Sequence, residues 1–287
     1  MPTYTAQSRE AGRAPLPMDT ARSFTGAWWL QPVLTVCALT AFGIYTTIRA
    51  FQNQYFCYPW PGLDAGGIAT GEAVHAATYL SPFYSPYLPI TLSIGTFVVS
   101  PAFYILVFPL AFRMTCYYYR KAYYRAFFWD PPACAVTEPL AGPRMRYTGE
   151  REFPFLLQNL HRYAFYAAAV FIVILTYDAI KAFIFTDPVT GARSFGIGVG
   201  TLVLVVNVVL LALYTFGCHS WRHLIGGSVD CYSCSGGTRT RYGVWKKVSF
   251  LNSRHALYAW LSMFSVAGAD IYVNLLARGI ITDLRIL

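Results

Sequence analysis

Long apolar runs alternate with polar, basic segments along the chain. Five of these runs reach about 20 residues, the length that a helix needs to cross the hydrocarbon core of a bilayer. Proline occurs three times in the second run, where a helix tolerates it only if neighbouring helices satisfy the carbonyl groups that lose a donor. The pattern predicts an all-α integral membrane protein. The five predicted helices lie at about 30–51, 87–112, 160–185, 196–217 and 255–279.

The segment before the first run differs from the rest of the chain. Residues 1–26 are rich in proline, arginine and serine and contain no apolar core, so we expect no cleavable signal peptide there. Trp28 and Trp29 follow at the start of the first run, where aromatic residues typically anchor a helix at the membrane interface. The predicted organisation is an N-terminal arm over residues 1–26 and one five-helix membrane anchor domain over residues 27–287.

Composition supports a membrane protein. Hydrophobic residues make up 56% of the 287 residues and charged residues only 12%, compared with roughly 25% charged residues in an average soluble domain. The formal net charge is +9, which topology and anionic lipid headgroups explain without a nucleic acid. A second interpretation of this charge is a docking face for an acidic soluble partner.

Basic residues are distributed unevenly between the segments that join the helices. Of the 22 Lys and Arg residues, three lie in the N-terminal arm, eight in 113–162 and six in 222–254. The positive-inside rule therefore predicts a cytoplasmic N-terminus, two long cytoplasmic loops and a C-terminus outside. The five basic residues on the predicted outer side are Arg49, Lys181, Arg193, Arg278 and Arg285.

Soft metal ligands gather at the predicted inner ends of the helices. At a rise of about 1.5 Å per residue, they fall within a turn or two of one membrane plane. A single residue of this kind is often only a helix cap or a small apolar side chain. The set, spread over four helices at one depth, predicts a metal or redox cofactor. It consists of Cys116, His161, Cys218, His219, His223 and His255.

Three kinds of cofactor suit this set. A Rieske-type [2Fe-2S] cluster would take Cys116 and Cys218 on one iron and two of the four histidines on the other. A haem b would need two histidines on facing helices. A zinc site would join Cys231 and Cys234 to His219 and His223, although the two cysteines lie in a loop flanked by glycine pairs.

Five segments resemble the membrane anchor of actinobacterial succinate dehydrogenase, in the mycobacterial, haem-free class of respiratory complex II. The likeness extends over most of residues 25–287. The segments are TCYYYRKAYYRAFFWDPPACAVTEP (115–139), YTGEREFPFLLQNLHRYAFY (147–166), LYTFGCHSWRHLIGG (213–227), LNSRHALYAW (251–260) and TDLR (282–285).

The resemblance implies a five-helix, multi-pass subunit of the bacterial cell membrane that binds a flavoprotein subunit and an iron-sulfur subunit on the cytoplasmic side. Such a subunit passes electrons from succinate to menaquinone, and this class is credited with a Rieske-type cluster in the anchor. On this chain the cluster would fall on Cys116, Cys218 and two of the rim histidines. The chain has no flavin or dicarboxylate site of its own, so we expect no catalysis by the isolated subunit. The pair Cys231 and Cys234 departs from the family pattern.

A quinone at the inner rim needs hydrogen-bond donors for its carbonyl groups. Aromatic and basic residues near the predicted cluster could supply them, with His255 as a proton donor. The same residues also suit an ordinary interfacial belt with snorkelling cations. The quinone candidates are Tyr118, Tyr119, Arg120, Trp221, Arg222 and His255.

Four polar residues lie in or near the predicted helices, where an unpaired polar group is costly, and each should face the bundle interior. They are Asp178, Asn207, Asp270 and Asn274. Asp270 could belong to a proton path from outside or form a helix-helix hydrogen bond. The segment 79–89 reads as a proline-rich entry to the second helix, without chemistry of its own.

The topology can be tested with single cysteines placed in the long loops. We expect a cysteine at Ser253 to react with a membrane-impermeant reagent only from the cytoplasmic side, because the 222–254 segment carries six basic residues. A cysteine at Arg193 should react only from outside. Labelling of the 222–254 segment from outside would reverse the predicted orientation.

Overall fold

The structure is a computed structural model that describes residues 28–63, 69, 71–89, 93–94, 97–129, 151, 153, 155–186 and 192–287. The predicted arm over residues 1–26 lies outside the described residues. The helices are α1 Leu30–Gln52, α2 Gly71–Ala76, α3 Pro101–Thr115, α4 Tyr117–Phe127, α5 His161–Lys181, α6 Val199–Phe216, α7 His219–Gly226, α8 Gly236–Asn252 and α9 His255–Ala277.

Short antiparallel strand pairs and two 3₁₀ turns complete the described elements, so the fold is mostly helical rather than purely so. The 3₁₀ turns are Pro82–Tyr84 and Phe155–Leu160. The strand pairs are β1 Cys57–Tyr58 with β2 Tyr79–Leu80, β3 Ser93–Ile94 with β4 Phe97–Val98, and β5 Ile184–Thr186 with β6 Arg193–Phe195.

Four helices of the described chain are long and apolar enough to cross a membrane, at Leu30–Gln52, Leu156–Lys181, Val199–Phe216 and His255–Ala277. The second predicted span, 87–112, has the wrong bounds. Its helix is the 15-residue α3, which begins at Pro101, where the side chain of Ser100 accepts a hydrogen bond from the Ala102 amide. Proline suits the first turn of a helix, where its missing amide hydrogen is not needed. Of the three prolines in the predicted span, Pro89 precedes the helix, Pro101 begins it and Pro109 lies inside it.

Backbone contacts divide the chain into two units. The described part of the first unit comprises residues 28–39 and 121–129, that is, the first turns of α1 and most of α4. The second unit comprises residues 40–120 and 146–287. It contains all the predicted cofactor ligands and quinone candidates.

The core of the second unit is a helical bundle in which α3 packs against α5, α5 against α6, and α6 against α9. Small buried residues such as Ala168, Ala179, Ala259 and Ala269 lie on the packed faces, where they allow close approach of helices in a membrane. Large apolar side chains such as that of Val173 point outward, as a lipid environment requires.

The two ends of the bundle differ in chemistry. At one end, α3 and α6 finish and α5 and α9 begin; we call it the Cys/His end because Cys116, His161, Cys218 and His255 lie there. At the other end, α9 carries a buried carboxylate at Asp270, and we call it the Asp270 end.

The described residues 53–63, 69 and 71–89, which follow α1, form a small folded cap at the Asp270 end. Its core is aromatic: the Phe56 ring stacks on Tyr84 at 4.2 Å and lies 5.6 Å from Tyr87. The prediction that 79–89 leads into the second helix is wrong, because α3 begins only at Pro101. The segment instead contacts the bundle. Ser81 donates a hydrogen bond to Asp270, and Ser85 donates one to Asp178. The cap therefore supplies donors to two carboxylates of the bundle.

Asp270 forms a buried ion pair with α1. The Arg49 Nε atom lies 2.7 Å from Asp270 Oδ2, and the two side chains are 3% and 0% exposed. Tyr45 also donates to this carboxylate, and the Tyr84 hydroxyl donates to the Arg49 carbonyl at 2.6 Å. The sequence offered two roles for Asp270, a proton path and a helix-helix hydrogen bond by a protonated carboxyl. The structure shows a helix-helix contact, but as an ion pair with Arg49.

The C-terminal segment closes the start of α6. Asp283 accepts hydrogen bonds from the Tyr79 hydroxyl at 2.5 Å, the Tyr272 hydroxyl at 2.6 Å and the Gly200 amide at 3.0 Å. A Cβ atom at Gly198 would collide with Asp283 Oδ2, so this close approach requires glycine.

We expect Asp270→Leu to lower the free energy of unfolding of the bundle by about 3–5 kcal/mol, because Arg49 would remain buried without its counter-charge. Thermal unfolding of the purified complex measures the effect. The double variant Arg49→Met/Asp270→Leu buries no unpaired charge and should recover much of the loss. A double variant as unstable as the single one would contradict the explanation.

Candidate functional site

Four of the six predicted cofactor ligands meet at the Cys/His end. The Cys116 Sγ atom lies 3.5 Å from His255 Nε2, and His161 Nε2 lies 3.0 Å from Cys218 Sγ. The cysteines are 2% and 1% exposed. Each sulfur atom therefore lies beside an imidazole from another helix, and both pairs are shielded from solvent.

Both cysteines occupy breaks between consecutive helices. Cys116 is extended, with φ −65° and ψ 126°, and separates α3 from α4. Cys218 is extended in the same way and caps α7, where its Sγ atom accepts a hydrogen bond from the Ser220 amide at 3.4 Å. These breaks allow the chain to turn at the bundle end and bring both sulfur atoms inside it.

Aromatic rings fix the orientation of the two histidines. Phe112 stacks on the His161 ring at 4.8 Å, with 3° between the planes, and Tyr214 stacks on the His255 ring at the same distance. The Thr115 hydroxyl lies 2.9 Å from His161 Nδ1, so Nε2 is the atom that faces the sulfur of Cys218. An imidazole held through one nitrogen in this way presents the other to a metal.

Burial controls the protonation of the thiols. It raises the pKa of Cys116 above its ordinary value and that of Cys218 to about 11. In the protein as described, both groups are neutral thiols at physiological pH, and a bound metal would have to displace their protons.

His219 and His223 lie apart from the two buried pairs. They occupy one face of α7, both are exposed, and their Nε2 atoms are 2.9 Å apart. The geometry thus reduces the four candidate histidines to His161 and His255 beside the cysteines. Among the residues that the structure describes, no three His, Cys, Asp or Glu side chains converge on one point to form a closed metal site.

The grouping expected for zinc is not assembled. Cys231 and Cys234 form a disulfide with each other in the loop between α7 and α8. Neither cysteine is joined to His219 or His223 in a ligand set anywhere in the described ranges.

The predicted quinone residues are engaged in other contacts. Tyr119 is buried and donates to the Ala259 carbonyl at 2.7 Å, while Tyr118 accepts from Trp260 Nε1 at 2.8 Å. The other contacts are those of Arg120 with the Tyr117 ring, Trp221 with the Phe165 ring, and Arg222 with Ser249 and the Trp245 ring.

A cavity of about 250 Å³ lies inside the bundle, between α1, α3, α5, α6 and α9. Its wall is mostly apolar, as in pockets that hold hydrophobic ligands. Arg113 and Tyr214 line it where it approaches the Cys/His end, together with Phe112. Two of these wall residues, Phe112 and Tyr214, are the rings that stack on His161 and His255.

Arg113 is the main residue that the sequence pattern did not reveal, because by position it belongs with the loop cations. Its guanidinium points into the bundle, where it donates to Ser262 Oγ at 3.1 Å and to the Ala259 carbonyl at 3.2 Å. The Cζ atom lies 4.8 Å from the centre of the Tyr214 ring. Helical spacing offered a signal, since Arg113 precedes Cys116 by three residues and Tyr214 precedes Cys218 by four.

These features define a class: a multi-pass helical membrane subunit with buried thiol and imidazole groups at one end and an apolar cavity beside them. The family model of the actinobacterial succinate dehydrogenase subunit SdhC matches residues 67–279, and the chain belongs to this family. It is therefore a membrane-anchor subunit of a bacterial succinate dehydrogenase, in the inner membrane.

A solved structure supports this assignment. A chain of the Mycobacterium smegmatis Sdh1 complex in the apo form is 41% identical, with a TM-score of 0.73. The match covers 96% of this chain and 97% of that chain. No curated protein matches.

We expect the thiols of Cys116 and Cys218 to resist alkylation in folded, metal-free protein. Cys218 is the sharper case, because a rise of its pKa from 9.0 to about 11 lowers the thiolate fraction at pH 9 by about 50-fold. Mass spectrometry after alkylation measures the rate. The same cysteines in detergent-unfolded chain are the control, and equal rates in both states would contradict burial.

The same shift predicts a stability change. Between pH 9.0 and about 11 the unfolded chain loses the Cys218 proton while the folded chain keeps it. The metal-free protein should therefore lose stability as the pH rises through that window.

Proposed function

We propose that this membrane anchor reduces a quinone, as the family resemblance suggests for menaquinone, with electrons from the iron-sulfur subunit. A Rieske-type [2Fe-2S] cluster held by Cys116, Cys218, His161 and His255 would mediate the transfer. The observation that carries the proposal is the meeting of two buried thiols and two half-buried imidazoles from separate helix ends, beside an apolar cavity.

The donor set fits such a cluster. A Rieske-type [2Fe-2S] centre takes two cysteines and two histidines, and Cys116, Cys218, His161 and His255 supply that number. A Rieske centre places both sulfur atoms on one iron, whereas here each thiol lies against an imidazole. Binding would require the side chains to exchange these contacts for iron. When bound, the cluster supplies one-electron storage with imidazole ligands that can change protonation.

The buried His255 Nδ1 atom supports a ligand role for His255. It has no hydrogen-bond partner among the described residues, although a buried polar nitrogen usually has one. Tyr214 holds the ring in place by stacking. Nε2 faces Cys116 Sγ, so the ring presents one nitrogen to the sulfur pair and leaves the other for a proton or a water molecule.

The cavity suits the quinone. Its apolar wall would receive the ring and the first isoprenoid units. Arg113 offers five N–H donors in total, of which three go to Tyr119, Ala259 and Ser262. The remaining donors can hold a quinone carbonyl at the end of the cavity nearest the cysteines. Arg113 and Tyr214 thus replace most of the quinone residues expected from the sequence, and Tyr119 positions Arg113.

The wall between the cavity and the donors is thin. Phe112 and Tyr214 line the cavity on one face and stack on His161 and His255 on the other. Only one aromatic layer therefore separates a quinone in the cavity from the cluster ligands. A redox group held by His161 and His255 would lie close enough to supply electrons to a quinone ring in the cavity.

The remaining features of the proposal concern assembly. The flavoprotein and iron-sulfur subunits would dock on the Cys/His end, where the positive-inside rule predicts cytoplasm and where most basic residues lie. In this arrangement α3 serves as a fifth, shorter span. The C-terminus then lies outside.

Variants of the complex test the cluster. Cys218→Ala and His161→Gln should abolish the Rieske-type paramagnetic signal, lower the iron content by two per complex and abolish quinone reduction. Succinate oxidation with an artificial acceptor at the soluble subunits should survive. His223→Gln is the matched control, because His223 is exposed on α7, and it should keep the signal.

Other outcomes identify the other cofactors. A Soret band would show a haem, and bound zinc without a paramagnetic signal would show a structural site. Loss of the signal in His223→Gln with retention in His161→Gln would mean that the wrong histidines were assigned.

A further inference from the structure

The loop between α7 and α8 carries a disulfide that the proposed function does not use. Cys231 and Cys234 are bonded to each other across two residues. Cys234 is exposed and Cys231 is partly exposed, so both sulfur atoms are within reach of a soluble reagent. The loop belongs to the basic 222–254 segment.

A disulfide in this position has unusual properties. The positive-inside rule predicts that the segment faces the cytoplasm, where disulfides are usually transient and serve catalysis or redox sensing. A bond that closes so short a loop constrains the unfolded chain little and stabilises the fold little. Exposed disulfides of this kind are also the easily reduced ones. These observations argue against a purely structural bond.

We propose that Cys231 and Cys234 form a thiol-disulfide exchange site, opened by a dithiol reductant, that adjusts electron transfer at the Cys/His end through α7. The exchange chemistry does not depend on the proposed function. The effect on quinone reduction does rest on the proposed function.

The disulfide holds Tyr232, which ties the loop to α7. Tyr232 lies between the two cysteines, and its hydroxyl donates to the Gly226 carbonyl at 2.7 Å. Its own carbonyl accepts from Thr238 Oγ1 at 3.1 Å, near the start of α8. Opening the bond would release Tyr232 from these two contacts, because the residues on both sides of it gain freedom.

The α7 helix links this loop to the buried cysteine. It has eight residues, ends at Gly226 and is capped at its start by Cys218. Arg241 secures the far end by donating to the Ile225 carbonyl at 3.0 Å and to the Gly227 carbonyl at 2.9 Å. A helix of two turns moves as one body, so a shift at Gly226 reaches Cys218 and its contact with His161.

The exchange balances with a protein dithiol as reductant. A thiolate of the reductant attacks the exposed Cys234 sulfur, forms a mixed disulfide and releases the Cys231 thiolate. The second thiol of the reductant then attacks its own mixed disulfide and releases Cys234. The reductant becomes a disulfide, and two electrons and two protons pass to Cys231 and Cys234.

The test uses the intact complex, treated either with dithiothreitol or with a small-molecule disulfide. Thiols are then alkylated under native conditions and mapped by mass spectrometry. We expect Cys231 and Cys234 to change label together and reversibly, while Cys116 and Cys218 stay unlabelled. A pair that keeps one state until the complex unfolds would overturn the exchange site.

Activity of the same samples tests the coupling. Quinone reduction should differ by about two- to ten-fold between the two states, the size expected for the loss of one hydrogen bond. Succinate oxidation with an artificial acceptor should stay unchanged. Cys231→Ser/Cys234→Ser should show one rate under both treatments. Tyr232→Phe keeps the cysteines but loses the hydroxyl, so it should match the reduced wild type. Tyr242→Phe removes the hydroxyl of an exposed tyrosine on α8 and is the matched control that keeps the response.

The outcomes separate this inference from the proposed function. Intact quinone reduction at one rate in both redox states of the wild type would overturn the coupling and leave the proposed function standing. Absence of quinone reduction in every state would instead refute the proposed function.

Discussion

The fold depends on the need to pair polar groups inside the bilayer, and charged groups above all, because water there cannot compensate for a lost partner. The ion pair between Arg49 and Asp270 is the strongest case, because both side chains are buried. The Asp270 carboxylate also accepts hydrogen bonds from Tyr45 in α1 and from Ser81 in the cap. Hydrogen bonds from the cap to Asp270 and Asp178 therefore hold the cap against the bundle.

The same constraint acts differently at the Cys/His end. There the buried groups are neutral thiols and imidazoles, which pair with each other as Cys116 with His255 and His161 with Cys218. Neutral donors tolerate burial at lower cost than charges. They can also exchange their hydrogen bonds for iron when the thiols lose their protons. The same cysteines and histidines therefore suit both burial without a metal and binding of one.

Much of this arrangement could be predicted from the sequence, because the apolar lengths fix the helices and the rise per residue fixes the depth of each helix end. Those two rules place Cys116, His161, Cys218 and His255 at one level. They could not choose between His255 and His223, since exposure depends on how α7 turns away from the bundle. They also missed Arg113 and the cap, because apolar length says nothing about where a long cation points or where a proline-rich run starts its helix.

The contrast between the two ends explains why a redox site would lie at only one of them. At the Asp270 end, Arg49 and Asp270 hold opposite fixed charges, and altering either one leaves the other buried and unpaired. A centre that gains and loses electrons needs surroundings that absorb a change of charge. The imidazoles of the Cys/His end can do so by releasing or accepting protons. Arg113 lies at the cavity wall beside them, where its permanent positive charge would favour the negative charge that develops on a quinone during reduction.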